Sequence, residues 1–442
     1  MNTKDLILQL NPEQKKAVMH TDGPLLIIAG AGTGKTKVIT TKIAYLINKK
    51  IAKPEEILAV TFTEKAASEM EERVDILVPY GYANIFISTF HSFGDSVLRE
   101  NAIELDLSPE FKVLDEAGQA VFLRDHIFEF ELNHFRPLSN PARHIKAMLK
   151  YFSRLKDELI TPEEFLDFAV KNSKKKDDIE AERIFELAKA FETYENLMKE
   201  AGFVDYGDQV VKCYWLLKKN PHILKEYQEK FKYILVDEFQ DTNFAQNELL
   251  KLLAEKTEGK KKQVGNITVV GDDDQSIFRF RGAAVSNILD FNKNYPSADK
   301  VILTKNYRST KQILDASYRL IQHNNPDRLE VKYKIDKKLK TDISGANIVH
   351  FDCDTVETEA RKVAEYIKNK SEREAVDYNN FAILYRANSH AEPFITELKA
   401  KEIPYIFSGS SGLYQRPEVR LIISFVNVLT NHLDNLSFYH LA

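Results

Sequence analysis

Cysteine is scarce in this chain of 442 residues: there are two, Cys213 and Cys353, far apart and with no C-x-x-C pair. That excludes a four-cysteine zinc or iron–sulfur site and a disulfide-stapled scaffold, and it fits a reducing compartment. No apolar run approaches the roughly 18 residues that a membrane helix needs. The opening Met1-Asn2-Thr3-Lys4-Asp5 lacks a signal-peptide pattern, so the expectation is a cytoplasmic protein without a membrane partner. An excess of one charge is missing too: 62 Lys+Arg stand against 66 Asp+Glu, a net of −4. There is thus no global basic signature of a nucleic-acid binder, and any grip on DNA or RNA has to be local. Internal repeats and long low-complexity segments are absent. At 43% hydrophobic and 29% charged residues, disordered and fibrous classes are excluded, and the length suggests about three domains.

What is present is an alternation of strands and helices. LLIIA (25–29) is a short, fully apolar run that predicts a buried parallel strand, and residues 36–48 then place Ile39, Ile43, Leu46 and Ile47 on one helical face. ILAVTFT (57–63), a helix over 65–77 and NIFISTF (84–90) follow, and the rhythm resumes at KYILVDE (232–238) and NITVVGD (266–272). Such alternation gives an α/β fold with a parallel sheet covered on both faces. Residues 91–205 between these stretches are mostly helical and strongly charged, which reads as a helical insertion. A second alternation begins near 300, with strands expected at 301–304, 347–351, 381–386 and 405–409 and helices at 310–323, 356–369, 389–402 and 417–430.

Chemistry concentrates at the strand ends. Ala29-Gly30-Ala31-Gly32-Thr33-Gly34-Lys35-Thr36 lies between a predicted strand and a predicted helix, the context a P-loop requires. Glycines let backbone N–H groups curl around phosphates, and the helix N-terminus adds its dipole. Lys35 can reach β- and γ-phosphates, and the Thr36 hydroxyl can ligate Mg²⁺. Ala29 departs from the strict pattern, which has Gly at this position. ILVDEFQD (234–241) ends an apolar strand in two adjacent acids: Asp237 can hold Mg²⁺ and Glu238 can orient and deprotonate a water. In QSIFRFRG, Phe278 and Phe280 alternate with Arg279 and Arg281, which on an extended segment puts rings on one face and cations on the other. Rings stack on bases whatever the sequence. Phe62 is either a third such platform or a core residue. Residues 300–342 hold eleven Lys/Arg and five Asp/Glu, either a local phosphate-binding stripe or a solvated face.

Seven stretches carry a resemblance: LNPEQKKAV (10–18), AGAGTGKT (29–36), AVTFTEKAASEMEERV (59–74), STFHSFG (88–94), ILVDEFQDTN (234–243), VVGDDDQSIFRFRGA (269–283) and LTKNYRS (303–309). In this order the chain resembles the superfamily 1 DNA helicases of the UvrD/Rep/PcrA type over essentially its whole length. The resemblance implies a RecA-like P-loop lobe, 1A (1–90 and 206–286), a helical insertion, 1B (91–205), and the first part of a second RecA-like lobe, 2A (287–442). It also implies ATP and Mg²⁺ as cofactors, single-stranded DNA and single/double-strand junctions as partners, and ATP-driven 3′-to-5′ movement. By position, Gln14 would read adenine, Gln275 would sense the γ-phosphate, and Tyr307 would stack on adenine. Arg308 would be an arginine finger brought from the second lobe on closure. Thr89 and His91 match DNA-backbone contacts, and DYGD (205–208) matches a small linker motif with Tyr206 as a DNA contact. Lys37 stands where the family usually has Arg beside the P-loop, and Phe280 where it more often has Trp.

Two family signatures, H-x-x-K-G and Y-V-x-x-T-R-A, do not occur. The expectation is therefore an N-terminal fragment that reaches the start of a 2B insertion and turns over weakly. Two other classes remain open. One is a non-motor module that binds nucleotide and DNA. The other is a nuclease built on Asp377, Glu397 and Lys399, although the last two fall in a predicted helix where such a site needs a strand.

Overall fold

The computed structural model describes residues 3–78, 85–172, 179–258, 261–277, 285–407 and 417–430, with 432, 437, 438 and 441. The strands, in chain order, are β1 Leu25–Ala29, β2 Ile57–Thr61, β3 Phe86–Thr89, β4 Lys112–Leu114 and β5 Phe203–Asp205, followed by β6 Tyr233–Val236, β7 Glu255–Glu258, β8 Lys261–Val264, β9 Asn266–Gly271 and β10 Asp299–Leu303. Six of them form one sheet in the order β10-β1-β9-β6-β2-β3, and every pairing is parallel. Parallel neighbours need crossovers, and the crossover helices cover both faces. Alternate residues of one strand therefore enter different cores: Leu26 and Ile28 of β1 join Phe93, Val97 and Leu249, while Leu25 and Ile27 join Ile39, Ile43 and Met70. This two-faced burial is why the strands read as unbroken apolar runs.

The helices of the insertion build a core of their own from Phe122, Phe130, Phe152, Phe165, Phe191 and Tyr194. The excursion begins later than residue 91, because the helix Phe90–Glu100 puts Phe93, Val97 and Leu98 under the main sheet. Its two ends are joined by parallel pairing of β4 with β5.

The chain divides into two compact units, Met1–Gly345 and Ala346–Ala442. This differs from the expected boundary at 287. The strand at 301–304, expected to open a second sheet, is instead β10, the edge of the first, with Val301 opposite Ile27 and Leu303 opposite Ala29. An apolar run of four residues is locally the same whichever sheet takes it, and the free edge of β1 took it. After β10 the chain doubles back: Lys340 N–H donates to Thr304 C=O (2.8 Å) and Asn306 N–H to Lys340 C=O (2.7 Å).

Within 346–442 the helices Val356–Glu374, Glu392–Ala400 and Pro417–Thr430 fall close to where their patterns place them. A small core gathers Ala364, Ile367, Leu398 and Ile403. Among the described residues of this unit no strand forms; segments 347–351, 381–386 and 405–407 lack ladder partners, although Tyr385 and Phe407 stack at 6.3 Å. Alternating hydrophobicity prepares a strand, but pairing makes one.

Candidate nucleotide and nucleic-acid site

All six parallel strands end at the same edge, where open α/β sheets bind ligands. The P-loop follows β1. Gly34 is the residue before the helix Lys35–Asn48 and has φ +88°, a left-handed conformation that glycine adopts without cost. Gly32, at φ +74°, is equally required, since a Cβ there would meet Arg308 Cβ at 2.6 Å. Thr33 is buried and closes the loop by donating from its hydroxyl to Gly30 C=O (2.8 Å). Ala29, the departure from the family pattern, is the last residue of β1, and its methyl lies in the core, so the strand and not the loop absorbs it.

Inside the loop the Lys35 ammonium donates to Glu238 Oε2 (2.8 Å) and Gln275 Oε1 (3.1 Å). Thr36 Oγ1 lies 3.3 Å from Asp237 Oδ2. Asp237 and Glu238 follow β6, Gln275 follows β9, and adjacency in the sheet brings them to one point. Glu238 has φ +51°, a sparsely populated conformation for a residue with a side chain, and Asp237 Oδ1 accepts its N–H (3.0 Å). Burial pushes the Asp237 carboxyl up to about 6, helped by the neighbouring Glu238 charge and opposed by Lys35. A buried carboxylate of raised pKa beside a hydroxyl is an oxygen pair that a hard cation would relieve, so Thr36 and Asp237 fit Mg²⁺. Asp241 is likewise pushed up to about 6, by burial and by Glu238.

Tyr307 and Arg308 reach the loop on the segment after β10. Tyr307 N–H donates to Gly32 C=O (2.9 Å), and its hydroxyl accepts from Asn11 Nδ2 (2.9 Å). Its half-exposed ring is thus fixed beside the loop. The expectation that Arg308 comes from a second lobe is corrected here: it belongs to the same compact unit as the P-loop, because parallel pairing of β10 with β1 sets the two strand ends side by side. Gln14 is buried, accepting from Asn11 N–H (3.2 Å) and donating to Thr33 C=O (2.9 Å). In this arrangement it braces the P-loop. The Lys37 ammonium is spent on Gln9 C=O (3.1 Å) and not on the loop.

Towards β2 and β3 the edge changes character. Phe62, just past β2, is half-buried. His91 and Tyr206 meet edge to face at 6.0 Å, with Tyr206 51% exposed. Burial lowers the His91 pKa, and Glu64 opposes this. Thr89 does not present a hydroxyl to DNA: it is buried, caps the helix Phe90–Glu100 by accepting Ser92 N–H (3.1 Å), and donates to Glu64 Oε1 (2.7 Å). Phe278, Phe280 and Arg281 lie outside the described residues. Part of the basic stretch 300–342 is used up within the fold. Lys337 is buried against Asp272, Asp273 and Asp274, Arg328 pairs with Asp274, and Lys305 with Asp342. Three consecutive aspartates need cations, and this stretch supplies them.

Three participants escaped the sequence reading. Gln240 joins Glu238 Oε2 (2.7 Å) to Asp272 N–H (3.0 Å). Asn306 donates to Ala31 C=O (2.6 Å) and accepts from Arg308 and Ser309 N–H. Its Asx-type turn is a legible signal. Asn11 holds Tyr307 and caps its own helix. Glu397 and Lys399 sit in the helix Glu392–Ala400, as expected, and no cluster of potential metal ligands includes them among the described residues. Nor, among those residues, is any helix long and apolar enough to cross a membrane.

Residues 10–296 match the model of the UvrD/REP helicase N-terminal domain, and residues 301–442 match that of the UvrD-like helicase C-terminal domain. The second match gives no support to the expectation of a fragment confined to the N-terminal part of the family architecture. The chain is 37% identical over 433 residues to the ATP-dependent DNA helicase PcrA of Staphylococcus epidermidis, covering 98% of this chain and 55% of that protein. To the PcrA of Leuconostoc citreum it is 35% identical over 442 residues, covering 99% and 55%, and to that of Staphylococcus aureus 36% over 433 residues. It therefore spans about half the length of the curated relatives it matches. With both domain models matched in succession, the first over a parallel sheet that carries the P-loop and its acidic partner strand, the chain belongs to the UvrD-like helicase family.

Proposed function

We propose that this chain binds and hydrolyses ATP at the carboxyl edge of its sheet and couples the cycle to 3′-to-5′ movement along single-stranded DNA. The observation that carries the proposal is the convergence of Lys35, Glu238 and Gln275 within hydrogen-bond reach at the mouth of the P-loop. An arriving triphosphate replaces the Glu238 carboxylate on Lys35. Freed from the ammonium, Glu238 accepts the proton of the attacking water. Lys35 and Arg308 stabilise charge on the transferring phosphoryl group. Thr36 and Asp237 would hold Mg²⁺, which would supply positive charge against the negative charge developing on the phosphates. Tyr307 supports the base, and Asn11 and Gln14 hold its surroundings.

The β2–β3 end of the edge is the proposed DNA side, with Phe62, His91 and Tyr206 as contacts and Phe278, Phe280 and Arg281 as further stacking and phosphate contacts. Junctions are engaged where a duplex meets that strand. Names of the relatives, ATP-dependent DNA helicase in each case, agree with this reading.

The test is hydrolysis of ATP with and without single-stranded DNA. Stimulation by DNA that disappears in Glu238→Gln supports a motor. Nucleotide binding with hydrolysis indifferent to DNA identifies a non-motor module, and nucleotide affinity unchanged by Lys35→Ala would end the proposal.

A further inference from the structure

β9 is followed by Asp272, Asp273 and Asp274, and all three carboxylates converge on one ammonium, that of Lys337, 65 residues beyond Asp272. Its Nζ lies 3.0 Å from Asp272 Oδ1 and 2.7 Å from Asp274 Oδ2, and it contacts Asp273 Oδ1. The Lys337 side chain is 6% exposed. Arg328 grips Asp274 with two bonds (2.7 and 2.8 Å), and Leu329 N–H donates to Asp273 Oδ2 (2.7 Å). Asp272 differs from its two neighbours because its other oxygen leads into the nucleotide site: Oδ2 accepts from Gln275 Nε2 (2.7 Å), whose Oε1 accepts from Lys35 (3.1 Å). The backbone of the same residue leads there too, through Gln240 to Glu238.

A carboxylate only accepts, so the side of the Gln275 amide that faces Asp272 has to be its NH₂. Among the described residues the second N–H of Gln275 has no partner, and the oxygen of the same amide is already at Lys35. We propose that Lys337 is a positioning residue for triphosphate recognition: it fixes the Asp272 carboxylate, which orients the Gln275 amide to donate to a γ-phosphate. This rests on the nucleotide-site reading above and assigns a role to a residue outside the P-loop and its partner strand. Burial by itself pushes the Asp272 carboxyl up, but Lys337, the Gln275 amide and Lys35 together hold it below its usual range. For Lys337, burial pulls the pKa down and the three aspartates more than reverse it. Each group keeps the other charged.

The experiment compares the affinity of the chain for ADP with that for a non-hydrolysable ATP analogue. In Lys337→Met the preference for triphosphate should fall about tenfold, the loss of one charge-assisted hydrogen bond, with ADP binding unchanged. Gln275→Ala should do the same, and the double variant should be no worse than Gln275→Ala alone, because the two act through one contact. Asp273→Asn shares the Lys337 bond but not the path to Gln275, so it should leave the preference where it was. Equal losses for both nucleotides, or a Lys337 effect that adds to that of Gln275, would overturn the inference and make Lys337 a mere staple of the 328–340 segment. Should Lys337→Met fail to fold by circular dichroism, Lys337→Gln with Asp273→Asn removes one cation and one acid together and carries the same expectation against Asp273→Asn. A chain whose nucleotide affinity survives Lys35→Ala overturns the underlying reading and this inference with it. An intact Lys35 dependence with an unmoved triphosphate preference overturns the inference alone.

Discussion

Two lysines, each set among carboxylates, mark two regions with opposite requirements. Lys35, at the mouth of the P-loop, has one carboxylate partner, Glu238, whose side chain is 34% exposed, and one amide, Gln275. Lys156, where the insertion meets the main sheet's helices, is 3% exposed and holds three acids: Glu195 (2.6 Å), Asp205 (2.7 Å) and Asp208 (2.8 Å). Lys212 bonds two of the same acids, and Tyr194 donates its hydroxyl to Asp205 (3.1 Å). Burial disfavours the Lys156 charge, yet these acids raise its pKa well above the ordinary value, while Asp208, also buried, is brought down to about 2 by Lys156 and Lys212. A cation that has to change partners is left with one that water and phosphate can replace. A cation that has to stay is enclosed with more negative charge than it can lose.

Exchanging the roles of the two lysines would break this contrast. Lys156→Met leaves the buried Asp205 and Asp208 and the partly buried Glu195 short of a cation and should cost about 3–5 kcal/mol in chemical denaturation. Lys35→Met should shift stability by no more than about 1 kcal/mol while abolishing nucleotide binding. Glu238→Gln sharpens the exchangeable side: hydrolysis should fall by about 10²-fold or more, while ATP affinity holds or rises, since Lys35 no longer has a carboxylate to leave. On the DNA side, Tyr206→Ala should weaken single-strand binding by about 1–2 kcal/mol with nucleotide affinity unchanged.

A pH-dependent effect concerns Asp157, which accepts from Asn243 Nδ2 (2.6 Å) and is pushed up to about 7, chiefly by burial, against an ordinary value of 3.8. The folded chain therefore takes up a proton there that the unfolded chain does not hold. Stability from this group is complete below pH 3.8 and is lost as pH rises through about 7. Asp157→Asn should thus raise stability at pH 8 and leave it nearly unchanged near pH 4, as read from denaturation midpoints at the two pH values.

How much of this was legible in the sequence depended on how local the cause was. β1, the P-loop and the helix Lys35–Asn48 are consecutive residues obeying consecutive rules, and they fold as spelled. DYGD is a capping box, Asp205 and Asp208 each bonding the other's backbone, and that spacing is readable. Thr89 shows a local rule overridden by analogy: a Thr three residues before Ser92 at the head of an apolar helix is a cap before it is a DNA contact. Strand β10 was illegible as a member of the first sheet because its partner, β1, lies far back in the chain. The grip of Lys337 on Asp272–Asp274 was illegible for the same reason: the lysines around it look alike in sequence, and only folding chooses one.

The pairing of β4 with β5 has a consequence for how such a protein can change. Lys112 and Phe203 face one another across a single strand spacing of about 4.8 Å, so the chain leaves for the insertion and returns from it through one narrow doorway. Inside that span the host also registers Lys156, which holds Asp205 and Asp208, and Asp157, which accepts from Asn243. The helices beyond those contacts can lengthen or shrink while β3 and β6 stay in place, provided that Lys156 and Asp157 keep their partners. Ancestry can therefore tinker with the outer part of the appendage while the sheet beneath it stays as it is.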